Sequence, residues 1–140
     1  MKRIYLDHAA TTPIHPSVKE VMRDVMEDSF GNPSSIHHFG RESRKRLDEA
    51  RMTMANSINA NYESIIFTSG GTEANNLAIF GTAYANRNKG NHIITTNIEH
   101  HAVLHPVEQL EKEGFDVTYL PVDEKGMVDI MDVKKALRKD

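Results

Sequence analysis

Apolar positions recur along this chain at helical spacing first and at strand spacing later, and the change falls near its middle. Val18, Val21, Met22, Val25 and Met26 follow i, i+3, i+4, i+7, i+8, which predicts an amphipathic helix over about Ser17–Asp28. Ser17 and Glu20 have the spacing of a capping box at its start. Gly31 can end that helix and Pro33 stops it resuming. A second helix is expected over about Arg41–Ile58, with Leu47, Ala50, Met54 and Ile58 facing inward. From Ser64 the pattern alternates. A strand is expected at Ser64–Thr68, and then a helix with Ala74, Leu77, Ala78, Gly81, Tyr84 and Ala85 on one side. A β-branched strand follows at His92–Thr96. Next come a helix near Ala102–Glu113, relied on only from Pro106 onward because proline belongs in a first turn, a strand at Val117–Leu120 and a last helix over Asp129–Lys139. Ile4–Leu6 reads as a short strand or an extended entry. Strand–helix alternation predicts an α/β fold with parallel strands joined by crossovers. The helices before it form an N-terminal arm, giving an expected division into 1–60 and 61–140.

Composition narrows the class. The chain has 140 residues, 39% hydrophobic and 26% charged, which suits one soluble unit with its own core. A net charge of −3 gives no reason to expect nucleic acid, and no apolar run reaches membrane-spanning length. The N-terminus meets Asp7 too early for a signal peptide. With no cysteine, the chain has no disulfide, thiolate metal site or thiol nucleophile of its own, and the cytoplasm is the default location.

The candidate chemistry centres on Thr68-Ser69-Gly70-Gly71-Thr72-Glu73, between an expected strand and an expected helix. Glycines there let backbone N–H groups converge at a helix N-terminus, where the dipole favours an anion such as phosphate. Gly70, Gly71 and Thr72 are the candidate ligands, Thr72 adding a hydroxyl. The same sequence also suits a tight turn in which Ser69 or Thr72 only caps the helix. The loop lacks a Walker A ending and the three-glycine dinucleotide spacing. His100 follows the strand ending near Thr96 and so belongs at the same sheet edge as the loop. There its ring could stack on a flat ligand or move protons, although any one of eight histidines can equally be a surface residue. His101 and His105 have helical metal-pair spacing without an evident third ligand. Arg41, Arg44, Lys45, Arg46 and Arg51 alternate with acids, as on a solvated helix face.

Four phrases in fixed order carry a family resemblance: Tyr5-Leu6-Asp7-His8-Ala9-Ala10-Thr11-Thr12-Pro13, Gly31-Asn32-Pro33-Ser34-Ser35, Phe67 through Asn76, and Glu99-His100-His101-Ala102-Val103. Together they resemble cysteine desulfurases of the NifS/IscS type, class V aminotransferases within the fold-type I enzymes that use pyridoxal 5′-phosphate (PLP). The resemblance implies the N-terminal part of the large PLP domain, a mostly parallel sheet flanked by helices with an N-terminal helical arm. It implies that Gly71 and Thr72, beside Gly70, bind the cofactor phosphate, and that His100 stacks on the pyridine ring and assists proton transfer. It puts Ala10, Thr11 and Asn32 near the substrate entrance.

The implied reaction takes sulfur from L-cysteine, leaves alanine, and passes the sulfur through an enzyme persulfide to an acceptor protein, a scaffold for iron–sulfur clusters or a tRNA thiolase. A homodimer is implied as well. Such chemistry needs a Schiff-base lysine and a nucleophilic thiol. The family carries both beyond the region matched, so the 140-residue chain is expected to be inactive alone. A selenocysteine lyase, a cysteine sulfinate desulfinase, or a non-catalytic truncated binding module would share these phrases.

Overall fold

A computed structural model describes residues 3–139. In chain order it forms α1 (Pro16–Asp28), α2 (His38–Ser57), a 3-10 turn (Tyr62–Ser64), α3 (Gly71–Asn86), β1 (His92–Thr96), α4 (His101–Lys112), β2 (Asp116–Leu120) and α5 (Ile130–Ala136). These fall into two units, one ending at Ile66 and the other beginning at Phe67.

In the first unit, α1 starts with Pro16 in its first turn after His15, and no side chain caps it. Ser17 lies inside the helix and its hydroxyl meets the His15 ring at 2.8 Å, so the expected capping box does not form. No residue of α1 is buried, and on its apolar face Val21 (61%) and Met26 (71%) are the most exposed. Helix α2 turns Gly40, Ser43 and Ala55 inward rather than the expected set, and Met54 and Ile58 remain exposed. The burial has a local cause. A Cβ on Gly31 would strike the Phe39 carbonyl, and one on Gly40 would strike the Ser35 and Asn32 backbone. Glycine at both positions lets the 31–35 turn lie directly on the start of α2. The i, i+4 pairs Arg44–Asp48 (3.1 Å) and Lys45–Glu49 (3.8 Å) run along the solvated face of α2.

The strand expected at Ser64–Thr68 is absent. Tyr62–Ser64 coils into the 3-10 turn, and 65–68 is not assigned to any strand. Arg51 donates to the Ile65 carbonyl instead. Strand propensity is a preference for a pleated, half-buried surface, and no neighbouring strand provides that surface here.

The second unit holds a two-stranded parallel sheet, with His92 opposite Asp116 and Thr96 opposite Leu120. Helix α4 makes the crossover between β1 and β2, as parallel pairing demands. Its apolar stripe (Ala102, Val107, Leu110) joins Phe115 and Leu120 in a small core where Leu110 has no exposed surface. Helix α4 starts five residues before Pro106, which sits buried within it. The proline removes the bond to the Ala102 carbonyl, and the His100 cap together with burial of the ring offsets that loss. Helix α3 packs on α4. The side of α3 facing an apolar cavity of about 410 Å³ carries Ala78, Ile79, Thr82 and Ala83, a face rotated from the expected one, and Leu77 is half exposed.

Candidate functional site

The glycine loop sits at the N-terminus of α3. Gly70 is the N-cap residue, in extended backbone (φ 167°, ψ 179°) that does not itself demand glycine, and no side chain caps the helix. Neither Ser69 nor Thr72 therefore takes the capping role that was the simpler reading of the loop. The first intrahelical bond runs from the Ala74 N–H to the Gly70 carbonyl at 3.1 Å. The N–H groups of Gly71, Thr72 and Glu73 precede it and have no intrahelical partner. Cβ atoms built on Gly70 or Gly71 meet nothing within 4 Å. Neither a positive φ nor a close neighbour requires these two glycines. What they leave is open space at a helix N-terminus whose first N–H groups have no intrahelical partner, which fits a phosphate group.

Glu73 completes the loop in a way that sequence reasoning missed. Its carboxylate accepts from the Ser69 N–H at 2.7 Å and the Ser69 hydroxyl at 2.6 Å. The hydroxyl bond, and then the backbone one, hold Glu73 below the ordinary glutamate range. The signal was present as a Ser-x-x-x-Glu spacing, one residue longer than a capping box.

His100 is the N-cap of α4, and its Nδ1 accepts from the Ala102 N–H at 3.0 Å. That bond places the proton of the neutral ring on Nε2. Helix α3 leads into the start of β1 through a short loop, and α4 departs from the end of β1. Gly71 and His100 are thus N-terminal residues of two helices that pack on each other. Neither residue lines the apolar cavity along α3 and β1. The cradle is an open surface, with Gly70, Gly71, Thr72 and His100 all exposed.

The substrate-entrance candidates belong to the first unit. The Asn32 side chain is spent on its own turn, accepting from the Ser34 N–H at 2.9 Å. The N–H groups of Ala10 and Thr11 donate to the Asp7 carbonyl, at 3.2 and 3.3 Å, and the Tyr5 hydroxyl braces the Asp7 and Thr11 carbonyls. A cleft of about 870 Å³ lies between the Pro33–Ile36 turn and α2, bounded by Tyr62, which donates to Asp48 at 2.6 Å. The His101 and His105 rings stack at 5.1 Å. Among the described residues, no three His, Cys, Asp or Glu side chains are grouped to hold a metal, and no helix is long and apolar enough to cross a membrane.

A family model described as aminotransferase class-V matches residues 4–140. The chain belongs to the class-V aminotransferase family. It is 60% identical over its whole length to the cysteine desulfurase IscS of Dictyoglomus turgidum, covering 36% of that protein. It is 51% identical to the cysteine desulfurase IscS of Methanosarcina thermophila, where 99% of the chain covers 34% of the relative. Among solved structures, a NifS-like protein superposes with a TM-score of 0.88 at 35% identity, over 94% of this chain and 36% of that one. A protein described as SspA in complex with cysteine gives 0.84 at 39% identity, over 93% and 38%. The chain thus spans little more than a third of the relatives it matches, and its fold is the N-terminal part of the NifS-like fold-type I architecture.

Proposed function

We propose that this chain is the phosphate-cradling N-terminal portion of a PLP-dependent cysteine desulfurase. The observation that supports this most is the open, uncapped glycine turn at α3, in a chain 60% identical to a cysteine desulfurase. PLP, when bound, supplies an electron sink that allows bonds at the substrate's α and β carbons to be remade. The chain's own part is to bind and orient. The N–H groups of Gly71 and Thr72, with the Thr72 hydroxyl and the α3 dipole, hold the phosphate. Gly70 leaves room for its approach. His100, its Nδ1 committed to the Ala102 N–H, offers its ring face for stacking and Nε2 for proton exchange with the bound substrate. On this reading the arm spans 1–60 and the large-domain segment 61–140, with Ala10, Thr11 and Asn32 at the substrate entrance.

L-cysteine is the substrate, a sulfur-acceptor protein takes the product sulfur, and the intact protein is a homodimer. The lysine that holds the cofactor and the thiol that accepts sulfur come from outside this chain. The test is to mix the chain with the complementary C-terminal portion of the Dictyoglomus turgidum relative, PLP, L-cysteine and a dithiol reductant that releases the persulfide sulfur as sulfide. Cofactor absorbance with stoichiometric alanine and sulfide is the expected result. Binding of the two pieces without turnover would overturn the enzymatic reading, and turnover of selenocysteine or cysteine sulfinate alone would overturn the substrate.

A further inference from the structure

An ordinary capping box exchanges two bonds. The N-cap side chain serves the third helical N–H, and the third residue's carboxylate serves the N-cap N–H. Helix α3 has only the returning half. Gly70, its N-cap, has no side chain to give, and Glu73, its third residue, reaches one position further back to Ser69. The Thr68 hydroxyl also donates to the Gly70 carbonyl at 3.2 Å. The loop is therefore held through Thr68, Ser69 and Glu73, and none of these bonds uses the N–H groups of Gly71 and Thr72.

A carboxylate in the first turn also carries a cost. It is a negative charge beside the place where a phosphate would sit, and like charges repel. A residue kept there only to complement the helix dipole would compete with the ligand for the same positive potential.

We infer that Glu73 is a positioning residue for the cofactor-phosphate cradle: its clamp on Ser69 presets the Gly70–Gly71 backbone without using the N–H groups of Gly71 and Thr72. This rests on the phosphate-binding reading of the loop given above. The inference separates Glu73→Ala from Glu73→Gln. Glutamine keeps an oxygen that can accept from the Ser69 N–H and removes the charge, whereas alanine removes both.

The test uses the 140-residue chain, isotope-labelled, with pyridoxine 5′-phosphate as probe, because it carries the phosphate and ring but no aldehyde to react with surface lysines. Amide exchange at Ser69 and shifts at Gly71 and Thr72 are read by NMR. Ser69 is expected to be protected in the native chain and in E73Q and to exchange freely in E73A. The probe is expected to bind E73A about tenfold more weakly and E73Q at least as tightly as the native chain.

Free exchange at Ser69 in the native chain, or equal affinities of E73A and E73Q with both tighter than native, would overturn the clamp and leave the cradle standing. A native chain that protects Ser69 yet shows no shift at Gly71 or Thr72 with the probe would overturn the phosphate reading itself, and the inference with it.

Discussion

Gly71→Ala separates what the glycine loop does for the fold from what it does for a ligand. Gly71 is the first residue of α3, and a Cβ there meets no atom within 4 Å. Its φ lies outside the left-handed region, so alanine adopts the same backbone without strain. Replacing glycine by alanine at such a position stabilises a chain by roughly 0.4–1 kcal/mol, mainly by restricting the unfolded state. At the first helical position the lower end of that range applies. The ligand experiences the opposite effect. The new methyl group occupies space that an approaching phosphate needs, and a lost hydrogen bond to a charged group costs about 1.5–3 kcal/mol. That corresponds to roughly ten- to a hundredfold in affinity. The assay pairs urea unfolding with titration by pyridoxine 5′-phosphate. The expected variant is as stable as the native chain or slightly more so, and binds at least about tenfold more weakly. A loss of stability above about 1 kcal/mol would show that the glycine serves the turn. Unchanged affinity would show that no phosphate sits there.

Four further outcomes follow from particular contacts. His100→Ala leaves the Ala102 N–H without its cap and should cost about 1 kcal/mol in unfolding free energy, whereas His100→Asn keeps an N-cap acceptor and should recover most of it while still failing to support turnover in the reconstituted enzyme. Leu110→Ala empties the most buried position of the second unit and should cost about 2–5 kcal/mol, enough to abolish its cooperative melting by calorimetry. Because Glu73 is held below the ordinary glutamate range, its contribution to stability is present above the unfolded value and is lost as pH falls through the folded one, so Glu73→Gln should flatten the acid limb of a pH-stability profile below about pH 4.5. The uncovered face of α1 and the exposed Ile36 (90%) and Phe30 (76%) predict concentration-dependent association of the isolated chain, and a sharply monomeric species across the concentration range in sedimentation would contradict it.

The sequence was most informative where structure is set locally. The 3.6-residue pattern of Val18 to Met26 and the β-branched run His92–Thr96 placed α1 and β1 almost to the residue, because periodicity and propensity act within each segment. Elements that depend on neighbours were less legible. Ser64–Thr68 has strand composition, but a strand exists only through its ladder, and Ile65 spends its carbonyl on Arg51. The helix expected near Ala102–Glu113 was placed almost to the residue, but its turn before Pro106 was not relied on, because the cap that offsets the proline's lost bond lies six residues earlier. The inward faces of α2 and α3 were misjudged because apolar spacing names a stripe, whereas burial depends on which element covers it. At the candidate site, the glycines and His100 stood out by residue type and position. Glu73 did not, since its partner Ser69 lies one residue beyond the familiar capping register.

The most direct measurement is a crystal structure of this chain assembled with a complementary C-terminal portion and PLP. The account predicts the phosphate within hydrogen-bonding distance of the Gly71 and Thr72 N–H groups, with the His100 ring against the pyridine. A phosphate held elsewhere, or a His100 ring turned away from the cofactor, would contradict it.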